Sequence, residues 1–512
     1  MGRAMWRTAG PWLALAATVS LLNLLVSVTV VTWRSSAPPP DPPTRLLLSV
    51  EYPDQDTTTT TTEQPEGEGE EVPLELAQGV HDKSRMFRSH MFAVSGSAWA
   101  QLSARRLVCL ATQTSLDRLD EVAEAAAGWG GPLSVAVFGP AAELALALAY
   151  IRYLRSCHPG IRSQVSFHLV YPVAHPGLLH LDTSVCQLYP SFVSTVPFTR
   201  SCLRRLDPDL DLADCAAPRA VLARLLAARP PQLLEWRASY AYPQNLLRNT
   251  AKAGCQTNYT FVPDIDMVPS PGMAARLETF LARDQQLGNC SKCAFVIPTY
   301  EISSDVAQLP RNKTELIAMI SEKKARQFHE TIYSINQKSS DLRRWEKLPE
   351  TAGLEVAYTV DKYIFKYEPL YVARADTPPF DERFIGFGMT RNTQVYEMFV
   401  AGFSFHLLDN VFTSHRGFQT SATRPAWRLQ QAERNNAQFD EFAKELFAHY
   451  KADPYEMMSK LKKMNLKHVK LSYNQSKKPT SATQRVNKST RKGNRILYEE
   501  MKRSLTSEGF LF

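Results

Sequence analysis

From Arg106 onward, short apolar runs alternate with amphipathic stretches of helical length, an order that few folds accept. Residues 106–112 predict a buried strand, and residues 115–128 a helix opened by Ser115 and carrying Leu116, Leu119, Val122 and Ala126. Residues 133–138 predict a second strand, 141–157 a second helix and 165–171 a third strand. Such alternation predicts an α/β fold with a mainly parallel central sheet covered on both faces. Ligands of these sheets bind beyond the carboxyl ends of the strands.

One such end carries chemistry. In Tyr259-Thr-Phe-Val-Pro-Asp-Ile-Asp-Met-Val-Pro269 an apolar run stops at Asp264 and Asp266. Residues i and i+2 of a strand share a face, so both carboxylates are expected to converge where the strand ends. Pro263 withholds a backbone donor just before them. Two hard oxygen donors suit Mg²⁺ or Mn²⁺ beside a diphosphate, the need of a transferase that acts on nucleotide sugars. By itself Asp-x-Asp is more often a solvated turn, so its neighbours decide.

Residues 243–253 predict a helix opened by Pro243, burying Leu246 and Leu247 and closed by Gly254; Arg248 and Asn249 lie on it. A helix at 272–287 and a strand at 294–298 follow the acids. Further on, Phe380-Asp-Glu-Arg-Phe-Ile-Gly-Phe-Gly388 predicts a tight loop against a ligand, Glu397 falls on the next helix, and His415 on a turn after a strand at 403–408. Bland roles exist for each: Arg248 in a surface ion pair, Glu397 on an exposed helix face, His415 satisfied within its turn. Residues 172–237, with Cys186, Cys202 and Cys215, read as a decorated insertion holding a short helix at 221–227.

The two ends are of another character. Residues 8–33 form 26 consecutive uncharged positions, long enough for a transmembrane signal anchor. Arg3 and Arg7 before it, against Arg34 after it, place residues 1–7 in the cytosol and the remainder in a lumen. Residues 34–92, with Pro38–Pro43, six threonines at 57–62 and an acidic run at 66–71, predict a flexible stem. Between Met458 and Arg503 stand 14 Lys or Arg and two Glu, a balance of +12; the chain totals +8, so the rest is about −4. Residues 451–512 therefore predict a disordered basic tail. In a lumen its contacts would be acidic glycans, and nucleic acid is excluded. Eight cysteines suit disulfides in an oxidising compartment, with the pairing left open. Cys290-Ser-Lys-Cys293 has no partner pair at zinc spacing, which favours a disulfide or free thiols.

Taken in order, four motifs resemble glycosyltransferase family 49: Tyr242-Pro-Gln-Asn-Leu-Leu-Arg-Asn249, Asp264-Ile-Asp-Met-Val-Pro269, Phe380-Asp-Glu-Arg-Phe384 with Gly386-Phe-Gly388, and His415-Arg-Gly-Phe418. The resemblance covers roughly residues 100–450 and is strongest to the glucuronyltransferases of O-mannosyl glycans. It implies a GT-A catalytic domain at 93–450, a single-pass type II Golgi membrane protein and an inverting reaction. It implies a UDP-glucuronate donor, a divalent metal, usually Mn²⁺, and a xylose-terminated glycan acceptor on a glycoprotein. It assigns the metal to Asp264, Asp266 and His415, and the nucleotide or diphosphate to Arg248, Asn245 and Asp264. The base that takes the acceptor proton would be Glu397, or in its place Asp381. Two other expectations stand beside this one: the same fold moving another UDP-sugar, such as xylose or N-acetylglucosamine, or a silent lumenal scaffold that binds a partner transferase.

Overall fold

The computed structural model describes residues 79–177, 215–286, 290–351, 353–420 and 427–458. The expected membrane anchor, most of the stem, Cys186, Cys202 and the tail beyond Met458 lie outside the described residues. No helix among the described residues is long and apolar enough to cross a membrane.

The first half follows the alternating pattern. β1 (Val80–His81) and β2 (Phe87–Val94) precede β3 (Val108–Ser115), α1 (Glu121–Trp129), β4 (Leu133–Phe138), α2 (Ala142–Cys157) and β5 (Val165–Pro172). β4 and β5 are buried along their whole length and β3 at every position but its last, as continuous apolar runs in a sheet covered on both faces require. The helix expected at 115–128 is broken: a 3₁₀ turn at Leu116–Arg118 precedes α1, and Gly130, at φ 70°, closes it. From residue 215 come α3 (Pro218–Ala227), α4 (Pro231–Ser239) and α5 (Gln244–Gly254). Then follow β6 (Tyr259–Phe261), β7 (Met267–Pro269), α6 (Met273–Gln286), β8 (Cys293–Ile297), β9 (Thr299–Ile302), β10 (Ala325–Gln327), β11 (Val356–Thr359) and β12 (Leu370–Arg374). α7 (Arg391–Val400), β13 (Ser404–Leu408), β14 (Thr413–Arg416) and α8 (Trp427–Tyr450) end the series.

These strands build a ten-stranded sheet in the order β1-β2-β5-β4-β3-β6-β12-β8-β13-β11, and a four-stranded one, β10-β9-β14-β7. The large sheet is mixed rather than mainly parallel. β5, β4, β3 and β6 are parallel neighbours, but β12 runs antiparallel between β6 and β8. Periodicity reads each strand's burial and not its direction, which is set by the path of the chain between them.

The folded body also begins earlier and ends later than expected. β2 starts within the stretch read as stem, at Phe87, yet pairs with β5 and buries Phe87. Past α8, Met457 is fully buried and Tyr455 sets its ring edge against Phe399 at 5.4 Å. Both margins were obscured by polar neighbours that place single apolar anchors.

Three disulfides close the described cysteines: Cys109–Cys255, Cys157–Cys215 and Cys290–Cys293. The first ties β3 to the residue after α5, the helix that precedes the acidic box.

Candidate functional site

The carboxyl end of β3 and the turn after β6 open on a pocket of about 520 Å³. Pro263 cannot donate to a ladder, and β6 stops at Phe261; Asp264 and Asp266 therefore sit in the connection between β6 and β7 rather than in a strand. His415 is likewise displaced from expectation, lying in β14 rather than on a turn. β14 pairs with β7, with His415 opposite Met267, and this register brings the imidazole to Asp266.

The two acids have different surroundings. Asp264 Oδ1 accepts from Arg248 at 2.9 Å, Arg391 at 3.1 Å and Gln113 Nε2 at 3.4 Å. Burial pushes this carboxyl up, but the two guanidinium groups outweigh it and hold it well below the usual carboxylate range. Asp266 Oδ2 accepts from Arg118 at 3.0 Å and faces His415 Nε2 at 3.4 Å. Burial raises Asp266 too, and His415 and Arg118 bring it below its ordinary value.

His415 Nδ1 lies 3.1 Å from the Gly417 carbonyl, which can only accept, so Nδ1 carries the hydrogen. A neutral ring then turns the Nε2 lone pair toward a carboxylate, an arrangement that calls for a proton or a cation between them. Burial lowers the imidazole and Asp266 more than restores it, for a net rise. Asp266 Oδ1, also buried, has no hydrogen-bond partner. An orphaned carboxylate oxygen beside an imidazole lone pair fits a divalent metal in donor type. Asp264 is turned to its arginines, and among the described residues no three His, Cys, Asp or Glu side chains are gathered for a metal.

Arg248 is 3 % exposed and Asn245 1 %, and their bonds run inward. Arg248 donates to Asn245 Oδ1 at 3.0 Å, and Asn245 Nδ2 donates to the carbonyls of Asp381 at 2.8 Å and Thr390 at 3.3 Å. Asn249 exchanges bonds with the Phe380 backbone, at 2.8 and 2.9 Å. The motif at 242–249 thus clamps the motif at 380–384. Asn245, expected at the nucleotide, is a brace.

Asp381 and Glu397 are not among the residues lining the pocket of Asp264 and Asp266. They line a second cavity, of about 1140 Å³, to which α5 contributes Asn249 and Lys252 while its Gln244 faces the pocket. Arg383 occupies the Asp381 carboxylate at 2.7 Å, and Tyr450 donates to Glu397 at 2.8 Å. Burial pushes the Glu397 carboxyl up, against the Tyr450 hydrogen bond. Spacing along the chain could not reveal that the loop at 385–388 comes between: Ile385 faces the cavity, Gly386 and Phe387 the pocket.

Several residues that line the pocket or stand behind it escaped sequence reasoning. Arg391 and Gln113 meet Asp264 from 127 and 151 residues away. Tyr242, at the head of its motif, donates to Gln113 Oε1 at 2.5 Å. The stretch read as an insertion supplies α4, whose Trp236 and Arg237 line the pocket; Arg237 is anchored on the fully buried Glu143 at 2.7 Å. From α8 come Trp427 and Arg428, the latter 5.0 Å from the Phe387 ring centre.

A family model described as "Glycosyl-transferase for dystroglycan" matches residues 107–451, which hold all of these pocket residues. Beta-1,4-glucuronyltransferase 1 of Homo sapiens is 33% identical over 348 residues, covering 68% of this chain and 77% of that protein. Its Danio rerio counterpart is 28% identical over 385 residues, covering 73% and 83%. Xylosyl- and glucuronyltransferase LARGE2s of Gallus gallus is 25% identical over 349 residues, covering 67% of this chain and 37% of that protein.

Proposed function

The chain belongs to glycosyltransferase family 49, the dystroglycan glycosyltransferases, and from that premise we propose that it moves glucuronate from UDP-glucuronate onto a xylose-terminated O-mannosyl glycan of a glycoprotein. The proposal includes a GT-A fold, inversion at the anomeric carbon and a type II anchor that holds the body in the Golgi lumen. Three disulfides suit that compartment. The observation that carries the reading is the facing pair of Asp266 and His415, with the orphaned Asp266 oxygen, at the pocket where β3 ends.

In this reading Asp266 and His415 would hold Mn²⁺ or Mg²⁺, and Asp264 would join them by turning from its arginines. The metal, when bound, neutralises the diphosphate as it leaves. Arg391, Arg248 and Gln113 keep Asp264 ionised; Gln113 is in turn held by Tyr242. Arg118 and Arg428 line the pocket and supply positive charge for a donor bearing two phosphates and a carboxylate. Trp236 and Tyr240, stacked at 4.3 Å, give the pocket an aromatic wall for the nucleobase. Glu397 and Asp381, the acids proposed to take the acceptor proton, line the neighbouring cavity rather than this pocket.

The test is donor turnover by the purified chain across UDP-glucuronate, UDP-xylose and UDP-N-acetylglucosamine, with Mn²⁺ and then with chelator. Selective, chelator-sensitive use of UDP-glucuronate is expected. Use of another sugar alone overturns the donor, and failure to bind UDP at all would leave the scaffold reading in its place.

A further inference from the structure

The second cavity lies across the loop at 385–388 from the pocket of Asp264 and Asp266, and it is the larger of the two. Phe380, Phe442 and Leu446 give it an apolar floor. Its polar wall consists of carboxylates held in place by their neighbours. Glu382 accepts from Asn249 at 2.8 Å, Glu397 from Tyr450 at 2.8 Å, and Asp381 and Glu445 share Arg383 at 2.7 and 2.6 Å. A carboxylate has about four acceptor sites; Arg383 fills those of Asp381 with its backbone N–H and guanidinium, while Glu382, Glu397 and Glu445 retain capacity for further donors in a fixed direction.

The charges narrow the ligand class. These four acids and Asp82 face only three cations, Lys83, Lys252 and Arg383, and Arg383 is already shared by two of the acids. A phosphate, nucleotide or uronic acid would meet net repulsion. Lys83 and Lys252 oppose a strongly basic peptide in the same way. A neutral ligand with many hydroxyl donors and an apolar face meets both walls, and that is a sugar chain. The cavity shares α5 and the 385–387 loop with the donor pocket, so a chain seated there belongs to the same substrate.

We propose that this cavity binds a neutral oligosaccharide segment of the acceptor, remote from the sugar that receives the transfer. The proposal rests on the transferase reading above. Its purpose is physical: affinity gathered away from the reacting centre holds the acceptor in register with the donor.

Two variants test it in the full chain. Met86 lines the cavity and is 44 % exposed, so Met86→Trp fills space from the rim without entering the core. Glu382→Gln keeps shape and removes charge. Each is assayed with UDP-glucuronate on two acceptors, p-nitrophenyl β-xyloside and a neutral trisaccharide ending in xylose. The expected result is a KM for the trisaccharide raised about tenfold, a loss of roughly 1.4 kcal/mol, with kcat and KM for the monoside unchanged. Equal effects on both acceptors, or on neither, overturn the proposal, as does competition with the trisaccharide by oligolysine. Should Met86→Trp fail to fold, Glu382→Gln carries the same comparison. A wild type that transfers glucuronate to neither acceptor would sink the glucuronyltransferase reading alone. Saturation-transfer NMR with xylotriose then decides the cavity: a signal in the wild type that disappears in Met86→Trp supports it, and no signal in the wild type overturns it.

Discussion

Asp264 has two duties that its short motif conceals. It is a proposed metal ligand, and it is also the counter-ion of two arginines that are nearly buried, Arg248 at 3 % and Arg391 at 6 % exposure. Removing one member of such a cluster leaves uncompensated charge in a low-dielectric site. Asp264→Ala is therefore expected to abolish turnover and also to lower stability by about 2–4 kcal/mol in urea unfolding, because Asp264 is itself only partly screened by solvent. Asp266→Ala should abolish turnover with a smaller stability loss, since one of its oxygens has no partner to lose. Equal stability for the two variants would show that the arginines find another anion.

At the scale of elements, the site depends on how α5 and α8 are fixed. His168 on β5 accepts the Phe92 N–H at Nδ1, at 2.8 Å, so its hydrogen is on Nε2 and points to Ser134 Oγ at 2.9 Å. Ser134 in turn donates to the Ala251 carbonyl of α5 at 2.6 Å. Burial pushes this imidazole down to about 3. The folded value lies below the ordinary one of about 6.5, so only the unfolded chain gains a proton between them. Stability should be complete above about pH 6.5 and fall as pH is lowered, by about 2 kcal/mol at pH 5. His168→Gln should flatten that slope; an unchanged slope would assign it to other groups.

α8 fixes the loop between pocket and cavity. Gln431 accepts the Phe387 N–H at 2.8 Å, and Asn435 donates to the Gly388 carbonyl at 2.7 Å. Gly388 has φ +87°, and a Cβ there would stand 3.0 Å from Ala432 Cα. Gly388→Ala is expected to destabilise by about 1–3 kcal/mol and to raise the KM for the donor, measured by melting and initial rates. A variant with wild-type KM would show that the loop does not shape the pocket.

At the scale of the molecule, the Cys109–Cys255 bridge encloses 146 residues of separation and joins β3 to the end of α5, two elements that bring Gln113 and Arg248 to Asp264. A loop of that length contributes about 5 kcal/mol by restricting the unfolded chain. Replacing both cysteines by serine should lower the unfolding free energy by that order and weaken donor binding. Loss of stability with full donor affinity would confine the bridge to folding.

What the sequence determined alone was short in range. Alternation and helical spacing predicted β4 at 133–138 with the bounds the structure shows, and α2, β5 and α5 to within a residue, because burial of one face is a local pattern. The ordered motifs carried the family. Tertiary structure decided what depends on register and chain path: the reversed β12, the arginine from α7 on Asp264, His415 in β14 opposite β7, and the placing of Glu397 and Asp381 in another cavity. A side chain's periodicity records that it is buried, but its partner, more than a hundred residues away, is chosen by how the sheets and helices close around it.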